Sequence, residues 1–293
     1  MRKIYAIIVD YGAGQDLLSL VRALGKETID QVIVVDNGAS DGLAPRAKDV
    51  LSPLQANVLV IESEINRGFG SGVNSAAVAI KDAKLGDFFL ILNPDVVIDS
   101  SVIIGLAQVL DENGSCGLAG PKLVDENGDF YPSARKFPSV IDAFFHAMLH
   151  PFWSANPFSK RYMGRDYDPS LEEAMPVDWV SGACFMIRYE DFIRVGGFDE
   201  RFFLYLEDVD LCFRLHEMAR SILWCPYLKV QHKGGGTTKI ANLRSISAHH
   251  NSAIAYERKN ARGFRKCLLP MAVIVLRLRQ GITLLARWWK KSS

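Results

Sequence analysis

The chain has no CxxC pair, no GxGxxG fingerprint, no P-loop ending in GK[ST] and no internal repeat. Its five cysteines, at 116, 184, 212, 225 and 267, are odd in number and scattered. Such a set fits free thiols in a reducing compartment better than a disulfide framework or a zinc site. The opening "MRKIYAIIVDYG" starts like a secretion signal, but Asp10 breaks the apolar run and no small-residue cleavage site follows. It reads instead as a first strand. Acidic residues are absent after Glu257, where ten of the 34 Lys and Arg fall. Residues 1–257 therefore carry 24 basic against 33 acidic groups, a net of −9. A nucleic-acid footprint spread over a folded face is excluded by that distribution, because the positive charge is confined to a tail. No Ser–His or Cys–His pair suggests a covalent nucleophile either.

What is present is ordinary globular material, 49% apolar and 23% charged over 293 residues, enough for one elaborated domain or two small ones. Through residue 120, β-branched runs ("IYAIIV", "QVIVVD", "NVLVIE", "FFLILN") alternate with helical stretches such as "GQDLLSLVRALGK". This predicts βαβ units, right-handed crossovers and a mainly parallel α/β sheet. Ligands of open α/β sheets lie beyond the carboxyl ends of the strands, so the residues closing each run matter most. Those residues are polar: Asp36 before "NGASDG", Asn66-Arg67-Gly68 after the third run, and Asn93-Pro94-Asp95 after the fourth. Residues 121–178 are looser, with a hairpin turn at "DENGDF", an expected helix after Pro138 and a polar stretch. "VDWVSGACFMIR", "GGFDERFFLYLEDVDLCFRLHEMA", "SILWC" and "LKVQH" then restore regular structure.

Each of these segments admits two readings. "NRGFGSG" can bring backbone N–H groups and Arg67 to a diphosphate, or can be a tight loop whose glycines supply positive φ. Asp36 can contact a nucleotide or cap a turn. In "NPD", Pro94 fixes the approach to Asp95, whose carboxylate with substrate phosphates could hold Mg²⁺ or Mn²⁺; alternatively it caps the helix starting near Asp99. His232 is a further metal ligand or a satisfied core histidine. Glu207, Asp208 and Asp210 crowd a helix start, where the macrodipole favours anions. Asp210 can pair with Arg214 at i,i+4, whereas Asp208 shares a face with Leu211 and Cys212 and could serve as a general base, oriented by Glu207.

In their order, "VDNGASDG", "NRGFGSGVNSA", "ILNPDVVI", "VSGACFMIRYEDFIRVGGFDERFFLYLEDVDLCFRLH" and "HKGGGTT" resemble the inverting GT-A glycosyltransferases of family two, in particular the bacterial rhamnosyltransferase branch. The resemblance spans about residues 3 to 240. It implies a GT-A fold in which residues 1–120 bind the nucleotide and 121–240 the acceptor. It further implies nucleotide contacts from Tyr11, Asp36, Asn66, Arg67 and Gly68, with Asn93 standing where the family's acidic motif begins. A divalent metal would be held at Asp95 with His232, the base would be Asp208 with Glu207 beside it, and Trp179, Ser181, Gly182 and Ala183 would meet acceptor and donor sugar. The implied reaction moves rhamnose from dTDP-rhamnose to a lipid-linked or polysaccharide acceptor. A UDP-dependent hexosyl, GlcNAc or galactofuranosyl transferase is the second reading, and a nucleotide-sugar-binding protein without turnover the third.

Residues 241–293 form a separate tail in this reading. Met271, Ile274, Leu278, Ile282, Leu285 and Trp289 recur at helical spacing, opposite Arg279, Gln280, Arg287 and Lys290. The continuous apolar run from Cys267 to Leu276 is shorter than the roughly 20 residues a spanning helix needs, which predicts a basic amphipathic helix lying on the inner face of the cytoplasmic membrane. A core-packing helix or a homodimer contact is the competing account.

Overall fold

The computed structural model describes residues 2–24, 28–38, 46–52, 54, 58–139, 148–149, 152–234 and 243–292. The helix expected after Pro138 and the "GGTT" run after Gly234 lie largely outside these residues, as does most of "GASDG". The strands are β1 (Ile4–Asp10), β2 (Gln31–Asp36), β3 (Val58–Glu62), β4 (Phe88–Leu92), β5 (Val96–Val97), β6 (Cys116–Val124), β7 (Phe130–Tyr131), β8 (Ala134–Arg135), β9 (Met175–Val177), β10 (Trp179–Val180), β11 (Cys184–Arg188) and β12 (Ser221–His232). The helices are α1 (Gln15–Ala23), α2 (Ala47–Leu51), α3 (Phe69–Ala79), α4 (Ser100–Glu112), α5 (Pro157–Tyr162), α6 (Tyr189–Arg194), α7 (Glu207–Glu217), α8 (Leu243–Asn260) and α9 (Phe264–Ser292).

The main sheet runs β3-β2-β1-β4-β11-β6-β12-β5. β3, β2, β1 and β4 are parallel neighbours, as the βαβ alternation predicts. β11 then enters antiparallel between β4 and β6, and β12 lies parallel to β6. Period-two alternation along the strands sends side chains into two cores. Ile8, Leu90 and Leu92 pack with α1 and α4 on one face. Ile7, Val9, Phe89 and Ile91 pack with α3 and α7 on the other.

The "DENGDF" turn forms as a hairpin joining β6 to β7. Asp125 accepts from Asn127 N and Asp129 N, and Gly128 takes φ +85°. "SILWC" and "LKVQH", separated by Pro226, are one strand rather than two, with a register shift between Cys225 and Lys229 where the proline is accommodated. All five cysteines are free, and all but Cys267 are buried.

α8 packs on the back of α7. Tyr256 clusters with Phe202 and Val209. Lys259 Nζ lies 2.6 Å from both Asp199 Oδ2 and Asp210 Oδ1. α9 follows along α8, with Ala272 buried and Arg277 donating to Asn251 Oδ1 at 2.7 Å. Its opposite face leaves Met271, Ile274, Val275, Leu278, Ile282 and Leu285 more than half exposed. By length and composition, Lys266–Leu285 is long and apolar enough to cross a membrane, since the helix continues past the arginines that end the uninterrupted apolar run. The short-run criterion therefore does not by itself exclude a span.

Candidate active site

The carboxyl ends of β1, β2, β4 and β12 and the start of β11 meet at one edge of the sheet. β4 closes on Asn93, whose N–H donates to Ala183 O at 2.9 Å, just ahead of β11. Its side-chain amide nitrogen lies 3.3 Å from His232 Nε2 at the end of β12. The same Nε2 is 3.2 Å from Asp95 Oδ1. β5, immediately after Asp95, pairs His232 with Val96, and Lys233 N donates to Asp95 O, so backbone hydrogen bonds fix this meeting. Asp95 is not the cap of α4. That role belongs to Asp99, which accepts from Ser101 N and Val102 N.

Asp95 and His232 are each about 15% exposed and so open to a ligand. Among the described residues no group of three His, Cys, Asp or Glu is arranged to hold a metal. The pair nonetheless fits a cation completed by substrate: two octahedral ligands at about 2.1 Å stand about 3 Å apart, and Mg²⁺-type ions take one or two protein ligands plus phosphate oxygens.

The second part of the site is built on α7. Tyr205 and Leu206 both adopt positive φ, 68° and 65°, immediately before Glu207. Two successive left-handed non-glycine residues cost of order 1–3 kcal/mol each. The contacts behind them hold the turn: Tyr205 stacks edge-on with His249, and Ser252 Oγ donates to Leu204 O. The turn sets Asp208 against the β10–β11 connection, where Oδ2 accepts from Gly182 N and Oδ1 from Val209 N, both at 2.8 Å. A Cβ on residue 182 would lie 3.3 Å from the Asp208 side chain, which explains a glycine there. Asp210, fully buried, pairs with Arg214 at 2.7 Å, the i,i+4 contact the spacing predicts.

Glu207 and Asp208 are adjacent carboxyls with different surroundings. Burial raises Glu207 well above the usual carboxylate range, and the charge of Asp208 raises it further. Its Oε2 is buried with no hydrogen-bond partner among the described residues. Asp208 is also raised by burial, but the N–H groups of Gly182 and Val209 and the charge of Arg135 oppose the shift. Burial thus disfavours the charged form of both carboxyls, while the Gly182 N–H and the Arg135 charge favour the carboxylate at Asp208.

Arg135 had no signal in the sequence. It faces Trp179 across the β8–β10 ladder, with its guanidinium 5.6 Å from the indole centroid. The Trp179 indole N–H donates to Lys136 O at 2.9 Å. Ser181 N donates to Ser133 O, and Ser181 Oγ accepts from Ala183 N. Trp179, Ser181, Gly182 and Ala183 thus form one strip running from Arg135 past Asp208 to Asn93.

At the nucleotide end, Tyr11 is 36% exposed just beyond β1. Asp36 is buried, accepting from Gly38 N at 2.9 Å, Arg46 Nε at 2.9 Å and Ala47 N at 3.0 Å. The capping bonds foreseen for it are present. Asp10, which sequence reading passed over, stands beside it in register and accepts from Gly12 N and Ala13 N, while burial raises its pKa. The detectable signal was parity with Asp36, an aspartate closing the neighbouring apolar run. Asn37, also missed, donates to Gly68 O at 3.0 Å and to Asn66 Oδ1 at 3.3 Å, and Asn66 Oδ1 accepts from Gly68 N. Arg67 is exposed between them. Gly68 has φ +97°, and a Cβ there would fall 2.1 Å from Phe203 O, so only glycine lets this loop lie against the turn that leads to Glu207.

A mainly parallel sheet with the antiparallel strand β11 inserted between β4 and β6 has the architecture of the GT-A fold. Residues 2–263 match the family described as glycosyltransferase like family 2, and the chain belongs to that family of glycosyltransferases. It is 33% identical over 259 residues to the N-acetylglucosaminyl-diphospho-decaprenol L-rhamnosyltransferase of Mycobacterium tuberculosis H37Rv, covering 85% of this chain and 82% of that one. It is 26% identical to rhamnosyltransferase WbbL of Escherichia coli K12, with 86% and 92% covered. Among solved structures, the mannosyltransferase PcManGT from Pyrobaculum calidifontis, in complex with GDP-Man and Mn²⁺, superposes with TM-score 0.57 at 12% identity, covering 95% of this chain and 74% of that one. GalNAc-T7 with UDP, GalNAc and Mn²⁺ gives 0.57 at 13% identity over 88% of this chain, which spans about half (48%) of its length. These structural likenesses establish the fold.

Proposed function

We propose that the chain is an inverting rhamnosyltransferase taking L-rhamnose from dTDP-rhamnose to a lipid-linked acceptor in cell-surface glycan synthesis. The observation carrying this reading is the unbroken run of contacts from Asp208 through Gly182, Ala183 and Asn93 to His232 and Asp95. It joins the base to the proposed cation site along one strand end. The relatives named for rhamnosyl transfer support the sugar, and the M. tuberculosis name supports a diphosphate-linked lipid acceptor.

In this mechanism Asp208 takes the proton of the acceptor hydroxyl as its oxygen bonds to the anomeric carbon. The carbon–oxygen bond to the nucleoside diphosphate breaks on the opposite face. Glu207 stays neutral and leaves Asp208 as the only charge of the pair, and Arg135 favours that charged state. A divalent cation held by Asp95 and His232 would offset the charge growing on the leaving diphosphate. Arg67, exposed just before α3, binds that diphosphate, while Tyr11 and the Asp36 edge enclose the nucleotide. α9 lays its exposed apolar face on the inner face of the cytoplasmic membrane, keeping the site near the acceptor.

The test is a transfer assay with dTDP-rhamnose, UDP-glucose, UDP-GlcNAc and UDP-galactose, with Mn²⁺ and with chelator, followed by NMR of the product linkage. Metal-stimulated rhamnosyl transfer with inverted anomeric configuration is expected. Preference for a UDP-sugar would replace the donor assignment. Binding of every donor without product would replace the enzyme reading.

A further inference from the structure

Outside the strand-end site and α9, the described surface exposes large apolar side chains together just ahead of α5. Phe152 is 93% exposed and Trp153 56%, with Met148 nearby in sequence at 55%. The backbone here is well held. Phe152 N and Trp153 N both donate to Leu149 O, at 3.1 and 2.7 Å. Asn156, itself fully buried, donates to Trp153 O at 2.5 Å and to Ser159 Oγ at 2.8 Å, and it accepts from Ser159 N at 2.8 Å. Two buried polar side chains, Asn156 and Ser159, thus brace a turn that carries a pair of exposed aromatic rings.

The charge around this turn is equally distinct. No Asp or Glu occurs between Asp142 and Asp166, whereas Lys160, Arg161 and Arg165 do, in a body (residues 1–257) of net charge −9. Lys160 and Arg165 are exposed. The turn is also tied to the acceptor side. Gly164, at φ +66°, lies so close to β8 that a Cβ would fall 2.7 Å from Arg135 Cγ, and Arg135 is the residue stacked on Trp179.

Resting on the reading of the chain as a transferase with a lipid-linked acceptor, we infer that Phe152–Arg165 is a second membrane-contact element, distinct from α9, that docks on an anionic bilayer surface. Phe152 and Trp153 enter the interface, where aromatic rings are favoured, and Lys160 and Arg165 face acidic headgroups. Because the element is joined to Arg135 and Trp179, it sets the acceptor side of the Asp208 strip against the lipid, while α9 supplies attachment.

The full chain is sedimented with vesicles of phosphatidylcholine containing phosphatidylglycerol, and with phosphatidylcholine alone. Phe152→Ser with Trp153→Ser should lower partition about a hundredfold, roughly tenfold for each aromatic side chain withdrawn from an apolar phase. It should leave transfer to a short-chain, water-soluble acceptor at the wild-type rate. Lys160→Gln with Arg165→Gln, which spares the aromatic rings, should weaken the preference for phosphatidylglycerol, the basic residues of α9 retaining the rest; an unchanged preference overturns the inference. Unchanged partition in the first variant overturns the inference. So does a wild-type dimer that the first variant dissolves with vesicle binding intact, since the occupant is then a second copy of the chain. Absence of transfer to the soluble acceptor in the wild type would defeat the transferase reading, and the vesicle result would still decide this one.

Discussion

Replacing Asp208 by Asn keeps the side chain's size but cannot keep both of its bonds. Oδ2 and Oδ1 each accept a backbone N–H at 2.8 Å, from Gly182 and Val209. An amide has one oxygen, so its NH₂ must face one of those N–H groups. The lost bond costs about 1–3 kcal/mol. Part of this is returned, because burial disfavours the ionised carboxylate that Asn replaces. Thermal melting should therefore fall by no more than a few degrees, while transfer at saturating donor and acceptor falls roughly 10²–10⁴-fold through loss of the base. Initial rates of sugar transfer measure the second effect and scanning calorimetry the first. Calorimetric titration with the donor should show binding retained, since the Asn93, Asp95 and His232 contacts are untouched. Wild-type turnover in this variant would refute the base assignment. A large loss of donor affinity would show that the strip through Gly182 serves the donor rather than the proton.

Glu207→Gln separates the neighbouring carboxyl. The folded pKa of Glu207 is raised, so its contribution to stability is fully present below the unfolded value and is lost as pH rises towards the folded one. Melting temperature of the Gln variant relative to wild type should thus climb as pH is raised above about 4.5, and a pH-independent difference would contradict the neutral-acid account. Arg135→Gln removes a charge that lowers the Asp208 pKa, so the acid limb of the transfer–pH profile should move to higher pH, as initial rates across pH will show. Gly68→Ala places a methyl 2.1 Å from Phe203 O at φ +97° and should cost at least about 2 kcal/mol, read by urea unfolding. A neutral result there would mean that the two loops do not meet.

The βαβ half was legible because its strands are pure apolar runs closed by polar residues. β6 was not, because Gly117, Gly120 and Pro121 interrupt its pattern. Each glycine answers a neighbour invisible in sequence: a Cβ on Gly117 would meet Arg220, and one on Gly120 would meet Val180. Pro226 split β12 on paper, whereas the bulge absorbs it in space. In the site, the residues with motif spacing, Asn93, Asp95, Asp208 and His232, could be named in advance. Arg135 and Asn37 could not, since their roles arise only from register and loop contact. α8 looked like the beginning of a tail because its apolar spacing is weak. Its attachment to α7 and to the turn before it runs instead through Lys259, Tyr256 and Ser252, which pattern reading does not weigh.

That attachment bears on how the protein can be shortened. A cut at residue 240, intended to shed the greasy end and leave a soluble enzyme, would also strip Tyr256 from Phe202 and Lys259 from Asp210, unbacking the strained turn that presents Glu207 and Asp208. A cut after Gly263 would spare them, so the useful boundary lies between α8 and α9.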